Sequence, residues 1–167
     1  VHLPEDLYFI TSQELLDMYP NLSSKEREYE ITKEHKAVFI IGIGDKLSNG
    51  QSHDGRAPDY DDWKLNGDLI YYHEVLDCAL EISSMGIRVD ADSLIYQLET
   101  SNHTDRMRYR YHQMILNNEL PYTIGGGIGQ SRLCMLLMGK AHIGEVQSSL
   151  WDEYTLKLAR ENGIIIL

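Results

Sequence analysis

The run Ala37-Val38-Phe39-Ile40-Ile41-Gly42-Ile43 restricts the fold more than any other stretch of the sequence. It is too short for a buried helix and shows no alternation, so both of its faces read as apolar and it is expected to be a central strand covered on both sides. A strand of that kind needs helices or further chain on each face. The sequence has the means: 167 residues, 43% of them hydrophobic, can bury about two thirds of the unfolded surface as one domain. No repeat, low-complexity tract or linker divides it.

The flanking elements follow from local signals. Leu7 to Ile10 reads as a short strand ending at Thr11-Ser12-Gln13-Glu14, the spacing at which a Thr hydroxyl and a Glu carboxylate cap each other's backbone donors, with a helix to about Tyr19. Ser23 to Glu26 repeats that signal and opens a charged stretch to His35, expected to be a solvated surface helix. Gly44 to Trp63 has no period and reads as a long loop, a length that compact domains keep for working sites or disorder. Strands are expected over Asp68–His73 and Ala79–Val89, helices over Ser93–Glu99 and Asp105–Asn117, then a strand-turn-helix through the glycines at 125–129. The fold class is α/β in the α+β sense, a mostly antiparallel sheet flanked by helices.

Fifteen Lys+Arg against twenty-six Asp+Glu give a net charge of −11, which speaks against a nucleic-acid surface. No apolar run reaches the ~20 residues of a bilayer crossing, so no membrane partner is expected. Cys78 and Cys134 lie far apart in apolar runs and suit a reducing compartment, with cytoplasm the expected setting. The opening Val1-His2-Leu3-Pro4-Glu5 has neither the basic and apolar regions of a signal peptide nor an initiator Met. The histidines from His35 to His142 make no metal set, and no nucleophile elbow or Cys-His arrangement supports covalent catalysis.

Three segments carry groups fit for chemistry. Gly125 to Arg132 places four glycines and an arginine just before an apolar helix: backbone without Cβ admits a ring or phosphate, the helix start adds amide donors, and Arg132 adds a forked cation. Close helix-sheet packing would use the same glycines. It is neither a dinucleotide fingerprint nor a Walker loop. In Leu80 to Val89, simple alternation puts Glu81, Ser83, Met85 and Ile87 on one strand face and Ser84, Gly86 and Arg88 on the other. Those polar groups need partners, either a ligand or internal ion pairs. Asp68, on the neighbouring strand, could join Glu81 as a Mg²⁺ site beside a polyphosphate. The third segment, Asp54 to Trp63, surrounds Arg56 with aspartates and aromatics; it is a solvated loop or a ligand-binding one.

Taken together, these blocks resemble a known family. Gly125-Gly126-Gly127-Ile128-Gly129-Gln130-Ser131-Arg132-Leu133 resembles motif 3 of class II aminoacyl-tRNA synthetases. Arg56 to Trp63, Leu65 to Asp68 and Ser83 to Asp92 are similar, more specifically, to the ammonia-dependent asparagine synthetases, the aspartate–ammonia ligases. The agreement runs from about Leu3 to Trp151. The resemblance implies a class II synthetase-like catalytic fold and the conversion of L-aspartate, ATP and ammonia to L-asparagine, AMP and pyrophosphate through a β-aspartyl adenylate. It implies that Arg132 meets ATP phosphate with Glu81, Ser83 and glycines 125–127 around the nucleotide, and that Asp68 and Glu81 hold Mg²⁺. It further implies that Arg56, Tyr60 and Asp61 line the nucleotide or adenylate, with Arg56, Asp61 and Arg132 serving catalysis, while Ser84 and Arg88 face aspartate.

Two departures accompany it. The family's chain is about twice as long and carries motifs 1 and 2 upstream, so residues 1–167 read as the C-terminal part of one catalytic domain, a homodimer by resemblance. Only Lys64 separates Trp63 from Leu65, where the family has a longer loop. An aspartyl- or asparaginyl-tRNA synthetase relative and a non-catalytic nucleotide-binding paralogue remain the alternatives.

Overall fold

A computed structural model describes residues 3–167; Val1 and His2, with which the reading of the chain's opening begins, lie outside them. One five-stranded sheet, in the order β1-β2-β3-β4-β5, organises the chain: β1 (Tyr8–Thr11), β2 (Ala37–Ile41), β3 (Asp61–His73), β4 (Cys78–Arg88) and β5 (Ile124–Ile128). The β1 and β2 strands are parallel and every other neighbouring pair is antiparallel.

Both capping boxes form as the spacing predicts. Thr11 and Glu14 open α1 (Ser12–Met18), and Ser23 and Glu26 open α2 (Ser24–His35). The α1 and α2 helices cover one face of the sheet, where Leu15 and Ile31 pack on Ile10, Val38, Ile40, Ile43 and Ile70. The α2 helix is not the solvated element its charges suggest, because Arg27, Glu28, Ile31 and Thr32 are buried and Glu28 meets His53 at 3.0 Å. Nor is β2 fully covered. Val38 and Ile40 are sealed, but Phe39 and Ile41 on the other face are only half-buried, and the neighbouring Phe9 is 61% exposed.

The long loop ends earlier than expected. Strand β3 begins at Asp61, runs through Lys64, and absorbs the short Trp63–Leu65 connection as a register shift between the pairs Asp61↔Arg88 and Asn66↔Gly86. Helix α3 (Ala91–Thr100), capped by Asp90, and α4 (Arg110–Leu116) build a second core with Val89, Leu94, Leu98 and Ile115. The predicted helix over 105–117 divides at Tyr109, whose extended backbone separates a 3₁₀ turn, Thr104–Arg108, from α4. Gly125, Gly126 and Gly127 lie within β5 itself, and Gly129 is the N-cap of α5 (Gln130–Leu137). Helix α6 (Glu153–Glu161), started by the Asp152 cap on Thr155, was not anticipated. Among the described residues, no helix is long and apolar enough to cross a membrane.

Candidate functional site

Strand pairing decides which groups meet. Asp68 lies opposite Ser84, and Ser84 opposite Gly127, so the three share one face of the sheet. Simple alternation would send Glu81 to the opposite face. Leu69 pairs with Ser83, however, and Ile70 with Glu81, leaving Ile82 unpaired as a bulge. The extra residue reverses the phase of the strand and brings Glu81 into step with Ile70, on the face of Asp68 and Ser84. This face is the one that α1 and α2 cover, α2 reaching as far as β4; towards the Arg88 end of β4 and towards β5 it opens.

Two groups of side chains occupy the open part. In the first, Arg56 donates to Asp68 at 2.7 Å and to the Ser84 hydroxyl, while Arg88 donates to Asp61 and, at 3.0 Å, to Tyr60. The Arg88 guanidinium also lies over the Tyr60 ring, 3.9 Å from its centre. Burial opposes the charge on Arg88, but Asp61 outweighs it and holds the guanidinium's pKa above its usual value. The backbone must be bare here, since a Cβ on Gly86 would come 2.9 Å from the Asp61 carboxyl carbon and one on Gly125 would strike Arg88. Buried within this group, Asp61 Oδ2 and Arg56 Nε have no hydrogen-bond partner. Unpaired buried atoms of that kind are few in folded proteins and mark this group as a working part of the molecule.

The second group surrounds a cleft of about 310 Å³ lined by Glu81, Ser83, Ser84, Gly127 and Arg132. Arg132 donates to the Glu81 carbonyl at 3.1 Å and stands 3.9 Å from its carboxylate, both side chains being about half exposed. Ser83, which pairs with Leu69 and Ile128 and so belongs to the sheet's other face, donates to the Gly127 carbonyl at 2.9 Å. Space is open beside Gly127, and α5, whose N-cap is Gly129, starts with no side-chain cap. Uncapped amides, a partial positive helix end and a half-exposed arginine suit an anion.

The residues assigned through the resemblance thus fall into two groups. Arg56, Tyr60 and Asp61, assigned to the nucleotide or adenylate, stand with Ser84 and Arg88; Glu81, Gly127 and Arg132 stand together at the cleft, the anion end, and Ser83 lies on the other face of the sheet. Gly126 packs towards Met85, away from both groups, and Gly125 belongs beside Arg88. The two carboxylates assigned to Mg²⁺ also differ. Glu81 is 41% exposed and available, whereas Asp68, 13% exposed, is already paired with Arg56. Among the described residues, no group of three or more His, Cys, Asp or Glu side chains could hold a metal ion. Of the two, Glu81 is the carboxylate accessible to a cation, which would need further ligands beyond these side chains.

Sequence reasoning missed the supports of the Arg56–Asp61 segment, which come from far along the chain. Asp59 accepts from Arg106 and from His112, each at 3.0 Å. Burial pushes the Asp59 carboxyl up, but those two hydrogen bonds outweigh it and leave its pKa below the ordinary value. Since the folded pKa is the lower one, this pairing contributes fully above the unfolded carboxylate value of about 3.9 and is lost as pH falls through the folded value. Asp59→Asn is expected to flatten the acid limb of a stability–pH curve measured by urea unfolding. An acid limb as steep as the parent's would remove Asp59 from that role.

The family profile described as Aspartate-ammonia ligase matches residues 1–163. An aspartate–ammonia ligase from Ligilactobacillus salivarius is 64% identical over 167 residues, covering 99% of this chain and 50% of that protein. One from Clostridium tetani is 59% identical over 165 residues, covering 99% and 48%. The chain thus spans about half the length of the curated relatives it matches. Among solved structures, the aspartyl-tRNA synthetase of Entamoeba histolytica is similar with a TM-score of 0.59 and 17% identity, over 90% of this chain and 32% of that one. The asparaginyl-tRNA synthetase of the same organism gives 0.56 and 18%, over 87% and 36%. At such identities the likeness is one of fold, and the fold is that of class II aminoacyl-tRNA synthetases. With the profile running along nearly the whole chain, and relatives this similar over nearly all of its residues, the chain belongs to the aspartate–ammonia ligase family.

Proposed function

We propose that this chain forms the C-terminal half of a catalytic unit that amidates L-aspartate with ammonia, consuming ATP and releasing AMP and pyrophosphate through a β-aspartyl adenylate. The observation that carries the reading is the arrangement along β4, where the arginine-rich group of Arg56, Ser84 and Arg88 and the anion end of Glu81, Gly127 and Arg132 share one open face. The first group suits a small dicarboxylate, with Arg88 and Ser84 towards aspartate and Asp61 holding the Arg88 guanidinium in place. The second suits a polyphosphate. A carboxylate held between them would approach the α-phosphorus, displace pyrophosphate, and become an acyl group that ammonia attacks at carbon as AMP departs and a proton is lost.

In this scheme the side chains act by positioning and by balancing charge, and no protein nucleophile takes part. Arg132 steadies the charge that develops on the phosphates. Mg²⁺, when bound, supplies further neutralisation there, and Glu81 is the carboxylate best placed to hold it.

That the unit extends beyond this chain is supported by both sheet edges. Strand β5 leaves Ile124 77% and Ile128 63% exposed, and Phe9 on β1 stands out at the other edge. The same reading carries a homodimer, a cytoplasmic setting and no nucleic-acid partner, the last in keeping with the net charge of −11. The test is AMP formation by the intact protein. Strict dependence on both aspartate and ammonium is expected, and AMP formed without ammonium, or only with tRNA, would overturn the reading.

A further inference from the structure

We infer that Gln97 is a positioning residue for the aspartate end of the site, an inference that rests on the ligase reading above. Gln97 lies on α3 and is 1% exposed. Its amide donates to the Pro58 carbonyl at 2.9 Å and to the Asp61 carbonyl at 3.1 Å, and its oxygen accepts from the Trp63 N–H at 2.8 Å. One side chain thereby ties down the backbone on both sides of Tyr60 and Asp61. None of these bonds involves a side chain of the site, so Gln97 acts through the backbone it holds.

The contacts close a circuit. Strand β4 ends at Arg88, and two residues later Asp90 caps α3 by accepting from Ser93 at 2.8 Å. Leu94 and Leu98 anchor that helix in its core, so the position of Gln97 is referred back to the end of β4. Gln97 then fixes the backbone of Asp61, and the Asp61 carboxylate returns to Arg88. The distance between Asp61 and Arg88 is thus set twice, once by their own ion pair and once through α3. The Asp59 pairing with Arg106 and His112 holds the same segment from its outer side. The Glu81–Arg132 end shares none of these contacts. An error at Gln97 should therefore reach the aspartate end alone.

Gln97→Glu keeps the shape and the acceptor for Trp63, but it removes both donors and sets a carboxylate against two carbonyl oxygens. In the intact protein the KM for aspartate is expected to rise about tenfold or more, the scale of an unsatisfied buried group, while the KM for ATP stays within about twofold. Hydrogen exchange of the amides in residues 55–61 is expected to quicken, with exchange in the Glu81–Arg132 region unchanged. A lower melting temperature with both KM values unchanged, or with both raised together, would reduce Gln97 to a folding role and overturn the inference. Should Gln97→Glu not fold, Gln97→Met, which removes all three bonds without adding charge, carries the same comparison. If the parent protein made no AMP, the ligase reading would fall. The exchange measurement would still decide on Gln97, unaltered exchange at 55–61 ruling the positioning out.

Discussion

Arg88→Ala is expected to destabilise the fold by about 3–5 kcal/mol, because it strips the partner from a carboxylate that cannot reach water. The Asp61 side chain is 1% exposed and that of Arg88 20%, so the pair is shielded from the solvent screening that makes surface ion pairs weak. Its second oxygen already lacks a hydrogen-bond partner, and removing Arg88 would leave the whole group uncompensated. For a chain of this size the loss corresponds to roughly 6–20 °C in melting temperature. Arg88→Lys should recover part of the stability, since a cation returns, but not the forked contact with Asp61 and Tyr60. Denaturant unfolding of the three proteins checks this. A loss under about 1 kcal/mol for Arg88→Ala would mean that the pair is a minor contact.

Arg132→Ala should give the opposite pattern, a large loss of activity with little loss of stability. Its side chain is 50% exposed, and its contacts are the Glu81 carbonyl and, at 3.9 Å, the Glu81 carboxylate. Exposed contacts of that kind contribute less than about 1 kcal/mol. In the proposed reaction the same guanidinium faces phosphate as charge develops, and loss of one such donor lowers turnover about a hundredfold to a thousandfold. Steady-state rates at saturating ATP, alongside a melting curve, separate the two effects. Turnover equal to the parent's would remove Arg132 from the phosphate end.

What could be read from the sequence is what local chemistry determines. The boxes at Thr11–Glu14 and Ser23–Glu26, the cap at Asp90 and the apolar core of β2 each depend on residues within a few positions of one another. The Asp152–Thr155 cap of α6 is equally local. The parts that stayed hidden are set by partners far along the chain. Nothing around Ile82 marks a bulge; it emerges from pairing Glu81 with Ile70, and it alone brings Glu81 onto the face of Asp68. The charges of α2 suggested a solvated helix because Glu28's burial depends on His53, 25 residues away. Likewise, the types and order of the residues near 56–61 resembled a ligand-binding segment, while the division into an arginine-rich end and an anion end required knowing that Arg56 reaches Asp68 and Arg88 reaches Asp61.

The central claim, that a carboxylate of aspartate attacks the α-phosphorus between these two ends, is tested most directly by the fate of an oxygen. The intact protein would be supplied with ATP, ammonium and aspartate carrying ¹⁸O in its side-chain carboxylate, and the nucleotide and phosphate products examined by mass. The expected result is one labelled oxygen in AMP and none in pyrophosphate. Label in inorganic phosphate accompanied by ADP, or AMP formed without label, would contradict it.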